Sequence, residues 1–210
     1  MSFRVEEKII IHLSEINRIK SLLLNKGGKE LYPKRKISSL YFDSTQLKMF
    51  TDSEEGITPR KKIRVRMYPG DNTNKGLNLE TKISSAEGRF KKSINFNEKE
   101  FNKICDQGIY DADYGICYPQ IWVEYCREYF IVKNQRVTLD YNLLFKSYKS
   151  KVIIENNENL ILEIKGDNNF KKDSFDNIIP YRRYRFSKYN EGIKEISAKI
   201  SSVHDRNYLG

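Results

Sequence analysis

The residues with most chemistry to offer lie in Lys61-Lys62-Ile63-Arg64-Val65-Arg66-Met67-Tyr68. The stretch alternates strictly. Lys62, Arg64, Arg66 and Tyr68 fall on one face, with Ile63, Val65 and Met67 on the other, which is the period of a β-strand. Arginine's planar fork donates two parallel hydrogen bonds to a phosphate, and lysine supplies a mobile point charge. One such strand reads most simply as a basic face in bulk water. The device recurs, however. Arg4 and Lys8 with Glu6, Lys82 with Glu80, Arg89 and Lys91, Arg127, Arg136 with Asp140, and Lys165 with Glu163 all fall on in-phase strand faces. A row of such groups recognises a chain of phosphates rather than a single one.

The bulk numbers agree with an anionic partner. A chain of 210 residues suits one domain or two small ones, and 39% hydrophobic content is enough for a core. A net charge of +10 points to nucleic acid, polyphosphate, nucleotide or a membrane surface, without choosing among them. No apolar run approaches the roughly 20 residues of a membrane helix, and no signal-peptide core opens the chain, so the expectation is a cytoplasmic protein without a transmembrane segment. Cys105, Cys117 and Cys126 show no CxxC spacing, and His12 and His204 lack metal-ligand spacing. A cysteine nucleophile and a histidine zinc site are therefore unsupported. There is no Walker A loop, which excludes a P-loop site.

Eight strands are needed to position these groups: 3–11, 38–43, 62–68, 77–83, 89–96, 121–132, 136–145 and 160–165. Helices are predicted at 14–25, capped by Ser14, at 97–105, where Asn97 and Glu100 form a capping box, and at 187–202. A helical turn is expected at 45–52, a short helix at 175–179 and a basic loop at 32–37. Eight mostly antiparallel strands can close into a barrel. Periodicity leaves two orientations open. Charged faces turned outward would be screened by water; turned inward, they would repel one another unless an anion filled the space. The second arrangement needs cover for the apolar faces, which the helices at 14–25, 97–105 and 188–202 could supply.

Taken in order, the motifs resemble the VTC-type polyphosphate polymerase domain of the triphosphate tunnel metalloenzyme, or CYTH-like, superfamily. They are Arg4-x-Glu6-x-Lys8, Leu40-Tyr41-Phe42-Asp43, Lys62-Ile63-Arg64-Val65-Arg66-x-Tyr68, Leu79-Glu80-Thr81-Lys82, Arg89 with Lys91-Lys92, Tyr125-x-Arg127, Arg136-x-Thr138-x-Asp140, Leu162-Glu163-Ile164-Lys165 and Ser187-Lys188-Tyr189. The resemblance implies an α+β fold: one domain over residues 1–210, an eight-stranded antiparallel closed β-barrel with amphipathic helices packed outside. It implies phosphate contacts from Lys8, Arg64, Arg66, Lys82, Lys91, Arg127, Arg136, Lys165 and Lys188. Glu163 would hold Mn2+ or Mg2+, and Tyr125, Arg4, Glu6 and Glu80 would lie beside the substrate. Hydrolytic relatives often open with Glu-x-Glu-x-Lys. Arg4 stands here in place of the first Glu, which favours transfer over hydrolysis.

The expected reaction is transfer of the terminal phosphate of ATP to a growing inorganic polyphosphate chain, with Arg64, Arg66, Lys188 and Glu163 as the catalytic set. Two rivals stand beside it. One is hydrolysis of triphosphate or a nucleoside triphosphate on the same fold, with Glu6 and Glu80 assisting. The other is a non-catalytic module in which a basic surface with 14 tyrosines binds polyphosphate or RNA. No specific nucleic acid is expected as partner. Asp140 is read as orienting Arg127 or Arg136, and Tyr41-Phe42 as core.

Overall fold

The computed structural model describes residues 4–70, 77–167 and 181–207. The strands are β1 (Arg4–His12), β2 (Lys29–Asp43), β3 (Arg60–Met67), β4 (Leu77–Ser85), β5 (Gly88–Phe96), β6 (Ile109–Asp111), β7 (Gly115–Val132), β8 (Gln135–Ser147), β9 (Ile153–Asn156) and β10 (Asn159–Asp167). The helices are α1 (Ile16–Asn25), α2 (Lys48–Glu55), α3 (Glu98–Gln107) and α4 (Lys188–Asn207). Strands pair in the order β1-β10-β8-β7-β2-β3-β4-β5, with β6 on β7 and β9 on β8. The eight strands of the main path are the eight read from the sequence. The path has two ends, so hydrogen bonding among the described residues leaves the sheet open where a closed barrel was expected.

Several boundaries differ from the sequence reading. The basic segment 32–37 is strand, because β2 begins at Lys29 and runs through it. Its Pro33 does not break the strand, and the side chains from Lys29 to Lys36 are largely exposed. Ser14 does not cap α1. His12 caps a single 3-10 turn, Leu13–Glu15, through its Nδ1, and α1 follows with no side-chain cap. The Asn97–Glu100 capping box is present at α3. The helix expected at 175–179 lies outside the described residues.

The chain forms two compact units. Unit 1 comprises Met1–Lys36, Tyr125–Leu143 and Glu155–Phe186; unit 2 comprises Ile37–Glu124, Leu144–Ile154 and Ser187–Gly210. In unit 1, the apolar faces of β1, β8 and β10 (Ile9, Ile11, Val137, Leu139, Leu160, Leu162, Ile164) pack against Ile19 and Leu23 of α1. The amphipathic stripe of α1 thus finds the surface that its period requires. In unit 2, Leu40, Phe42, Ile63 and Val65 form the core with Met49 of α2, and Phe101 and Ile104 of α3 pack on it.

Within each unit, much of the charged face is buried as well as the apolar one. The apolar face is under helices, yet the charged face is not in bulk water either: Arg64 is 6% exposed, Arg66 8%, Glu80 2%, Arg127 7% and Glu163 5%. The start of α4 meets residues of the charged face of unit 2, Tyr41 and Lys62, while further along it Gly192 packs against the apolar Ile121 and Phe145. No described helix is long and apolar enough to cross a membrane.

Candidate functional site

In unit 2, strand register stacks the charged residues into transverse rows. Lys62 lies opposite Lys82, and Lys82 opposite Lys91. The neighbouring rows are Tyr41/Arg64/Glu80/Ser93 and Ser39/Arg66/Asn78/Asn95. Three lysines abreast is an arrangement that sheets avoid, because like charges directly opposite destabilise the pairing. Lys62 is positioned by neutral acceptors at the start of α4, donating to Ser187 Oγ at 2.6 Å and Asn190 Oδ1 at 2.9 Å. Lys188 opens α4 between Ser187 and Tyr189.

Arg64 is fixed before any substrate arrives. Its Nε and Nη2 donate to Glu80 Oε2 at 2.7 and 2.6 Å, and its Nη1 donates to Tyr41 Oη at 2.8 Å. Lys91 donates to the other Glu80 oxygen at 2.6 Å, and Arg66 lies 3.9 Å away. Burial alone pushes the Glu80 carboxyl up. The Arg64 and Arg66 guanidiniums and Lys91 overcome it and hold the carboxyl well below the usual carboxylate range. Glu80 is therefore an ionised hub for the cations rather than a proton donor or acceptor.

Tyr41 is held in turn. Its ring stacks on Tyr189 at 5.1 Å between centroids, and the Tyr189 hydroxyl donates to Asp43 Oδ2 at 2.6 Å. The fully buried Asp43 also accepts from the backbone N–H groups of Ser44, Met49 and Phe50. The Leu-Tyr-Phe-Asp motif thus works by parity. Leu40 and Phe42 enter the core, while Tyr41 and Asp43 brace the charged face.

Unit 1 is built differently. Its rows are Lys8/Glu163/Thr138 and Glu6/Lys165/Arg136, with Asp140 opposite Ile161. Arg127 makes a fork-to-fork pair with Asp140, Nε to Oδ1 at 2.5 Å and Nη2 to Oδ2 at 2.6 Å, and its guanidinium lies over the Tyr125 ring at 5.3 Å. Burial disfavours the Arg127 charge, but Asp140 more than offsets that and raises its pKa. Asp140 therefore orients Arg127, as one of the two sequence readings had it. Lys165 Nζ lies 2.7 Å from Glu163 Oε1 and 3.8 Å from Glu6 Oε2, while Lys8 Nζ lies 3.3 Å from Glu6 and donates to the Phe186 carbonyl.

The two faces differ in charge balance. Among the described residues, the three rows that carry Lys62, Arg64, Arg66, Lys82 and Lys91 hold one carboxylate, Glu80, whereas in unit 1 Lys8, Arg127 and Lys165 pair with Glu6, Asp140 and Glu163. The sequence reading had pooled all of these into one cationic set. The sequence-predicted residues Arg64, Arg66, Lys82, Lys91, Lys188 and Glu80 are in unit 2; Lys8, Arg127, Arg136, Lys165, Glu163, Glu6 and Tyr125 are in unit 1. The expectation for the Arg4 side chain falls outside the described side chains. Sequence reasoning did not anticipate the roles of Tyr41, Tyr189 and Asp43, whose only signal was the parity of Tyr41 with Ser39 and Asp43.

Among the described residues, no group of three or more His, Cys, Asp or Glu side chains could hold a metal ion. The donors present are hard carboxylate oxygens at Glu163 and Glu6, both already near ammonium groups. That set fits a divalent ion that takes a protein carboxylate and draws its other oxygens from phosphates; it does not fit a closed cage of protein ligands.

No curated protein sequence matches the chain. Among solved structures, a candidate adenylate cyclase from Bacillus halodurans aligns with a TM-score of 0.59 at 10% identity, covering 89% of this chain and 94% of its own. A conserved protein from Pyrococcus furiosus aligns at 0.54 and 12% identity, covering 89% and 98%. A candidate adenylyl cyclase from Hippeastrum, described as having a dominant triphosphatase activity, aligns at 0.53 and 14% identity, covering 93% and 96%. At such identities the likeness is one of fold. The VTC domain profile matches residues 3–197, and the chain belongs to the VTC domain family.

Proposed function

We propose that this protein is a metal-dependent polyphosphate polymerase. A terminal oxygen of the growing chain forms a bond to the γ-phosphorus of ATP, the bond from that phosphorus to the β–γ bridging oxygen breaks, and ADP leaves. The observation that carries the reading is the pre-oriented cationic face of unit 2, on which Arg64 and Arg66 are buried. Lysines lie three abreast beside Arg64 and Arg66, and Glu80 joins Arg64, Arg66 and Lys91, in a chain of the VTC family. Such a face is costly without an anion, and a run of phosphates supplies one.

Arg64, Arg66 and Lys188 are assigned to the transferring group, and Lys62, Lys82 and Lys91 to flanking phosphates. Lys8, Arg127, Arg136 and Lys165 are assigned to further phosphates, with Tyr125 beside them. No protein nucleophile is required, because catalysis comes from positioning and charge neutralisation. Glu163 would hold Mn2+ or Mg2+, which when bound neutralises charge on the phosphate oxygens. The closed tunnel expected of the family belongs to the same proposal.

Hydrolysis is the second reading, favoured by Glu6 and Glu163 flanking Lys165 and by the triphosphatase activity described for the Hippeastrum protein. The test is incubation of the purified protein with ATP and Mn2+ or Mg2+. Long polyphosphate with ADP is expected, and none from Glu163→Ala. Free phosphate without polymer establishes hydrolysis instead. Absence of both, with the variant indistinguishable from wild type, overturns the enzymatic assignment.

A further inference from the structure

Two polar atoms on the charged face of unit 1 are buried without a hydrogen-bond partner among the described residues: Thr138 Oγ1 and Arg136 Nε. They occupy consecutive same-face positions on β8, about 6.6 Å apart along the strand. Thr138 is 1% exposed and lies in register with Glu163; Arg136 lies in register with Lys165. Buried polar atoms are almost always bonded, so two orphans side by side require an explanation. Arg Nε only donates, and a hydroxyl can donate. The common partner of two donors is an acceptor-rich group without hydrogens of its own, which describes a phosphoryl oxygen. The device recurs in unit 2, where the fully buried Ser39 hydroxyl is likewise unpartnered on the face it shares with Arg66.

We propose that Thr138, with Arg136 Nε, forms a phosphate seat beside Glu163, Thr138 being a binding residue that adds a hydrogen bond without adding charge. The point of a neutral donor lies in the local balance. Lys8, Arg127 and Lys165 are already matched against Glu6, Asp140 and Glu163. A further cation there would disturb those pairs, whereas a hydroxyl does not. The inference rests on the phosphate-binding reading of the charged faces, and it names an element of that site which the motif match did not assign.

The test is binding of inorganic tripolyphosphate in EDTA, followed by calorimetry and by the ligand-induced rise in Tm. Thr138→Val is nearly isosteric. Its unliganded Tm is expected to equal or exceed that of wild type, because an unsatisfied buried hydroxyl is replaced by a methyl group. Its affinity is expected to fall about tenfold or more, since a hydrogen bond to a charged acceptor is lost. Thr138→Ser is expected to bind within about threefold of wild type. Three outcomes overturn the inference: wild-type affinity in Thr138→Val, a Thr138→Val protein that melts several degrees lower without ligand or does not fold, or no recovery in Thr138→Ser. If wild type itself fails to bind tripolyphosphate, the phosphate reading falls with it; if wild type binds and Thr138→Val binds equally, only this seat is lost.

Discussion

At the scale of single residues, Glu80 organises its face. It satisfies Arg64 in two places, takes Lys91 on its other oxygen and lies near Arg66. Removing one partner of a buried charge pair leaves the other uncompensated. Glu80→Gln is therefore expected to cost about 3 kcal/mol of stability by urea unfolding. Tripolyphosphate should then raise the Tm of the variant more than that of wild type, because the ligand replaces the missing negative charge. The pH dependence follows from the direction of the shift. The folded-state carboxyl lies below its unfolded value near 4.3, so its contribution is complete above that value and is lost as the pH falls below it. Acid titration of stability is expected to be less steep between about pH 5 and 3 in Glu80→Gln than in wild type. Equal slopes would show that Glu80 is not the hub.

At the scale of elements, the start of α4 and the end of β2 are joined through Asp43. That carboxylate accepts three backbone N–H groups and the Tyr189 hydroxyl. Tyr189→Phe removes one charge-assisted bond and is expected to lower stability by about 1.5–3 kcal/mol. It also releases the ring on which Tyr41 stacks, so kcat is expected to fall with little change in KM for ATP if Arg64 acts on the transferring group. An unchanged kcat would separate the stack from catalysis. Further along α4, a Cβ at Gly192 would come within 2.6 Å of Ile121 Cδ1 and Phe145 Cδ1. Gly192→Ala is expected to destabilise by about 1–3 kcal/mol through overpacking, despite alanine's better helix propensity. A stabilised variant, read by thermal unfolding, would show that α4 packs less tightly there.

At the scale of the whole molecule, a net charge of +10 draws polyanions while salt screens that attraction. Tripolyphosphate affinity is expected to weaken by roughly tenfold or more between 0.05 and 0.5 M salt, measured by calorimetry, as the screening length shrinks from above 10 Å to a few Å. A flat salt response would argue against a cationic site. Much of this was legible beforehand. The strict alternation of Lys62 to Tyr68 and its echoes on six other strands named those strands and their two faces, because side chains alternate whatever the sheet does next. The helix at 14–25 was legible because its apolar stripe had only one use. What alternation cannot carry is register and cover. Three lysines abreast, Thr138 opposite Glu163, and Tyr41 between Arg64 and Tyr189 depend on how distant strands align and which helix end reaches them. So does the burial of Arg64, Arg66 and Arg127 on the charged faces. Local spacing fixes which side chains share a face; only long-range pairing fixes which of them touch, since that depends on contacts between residues as far apart as Asp43 and Tyr189.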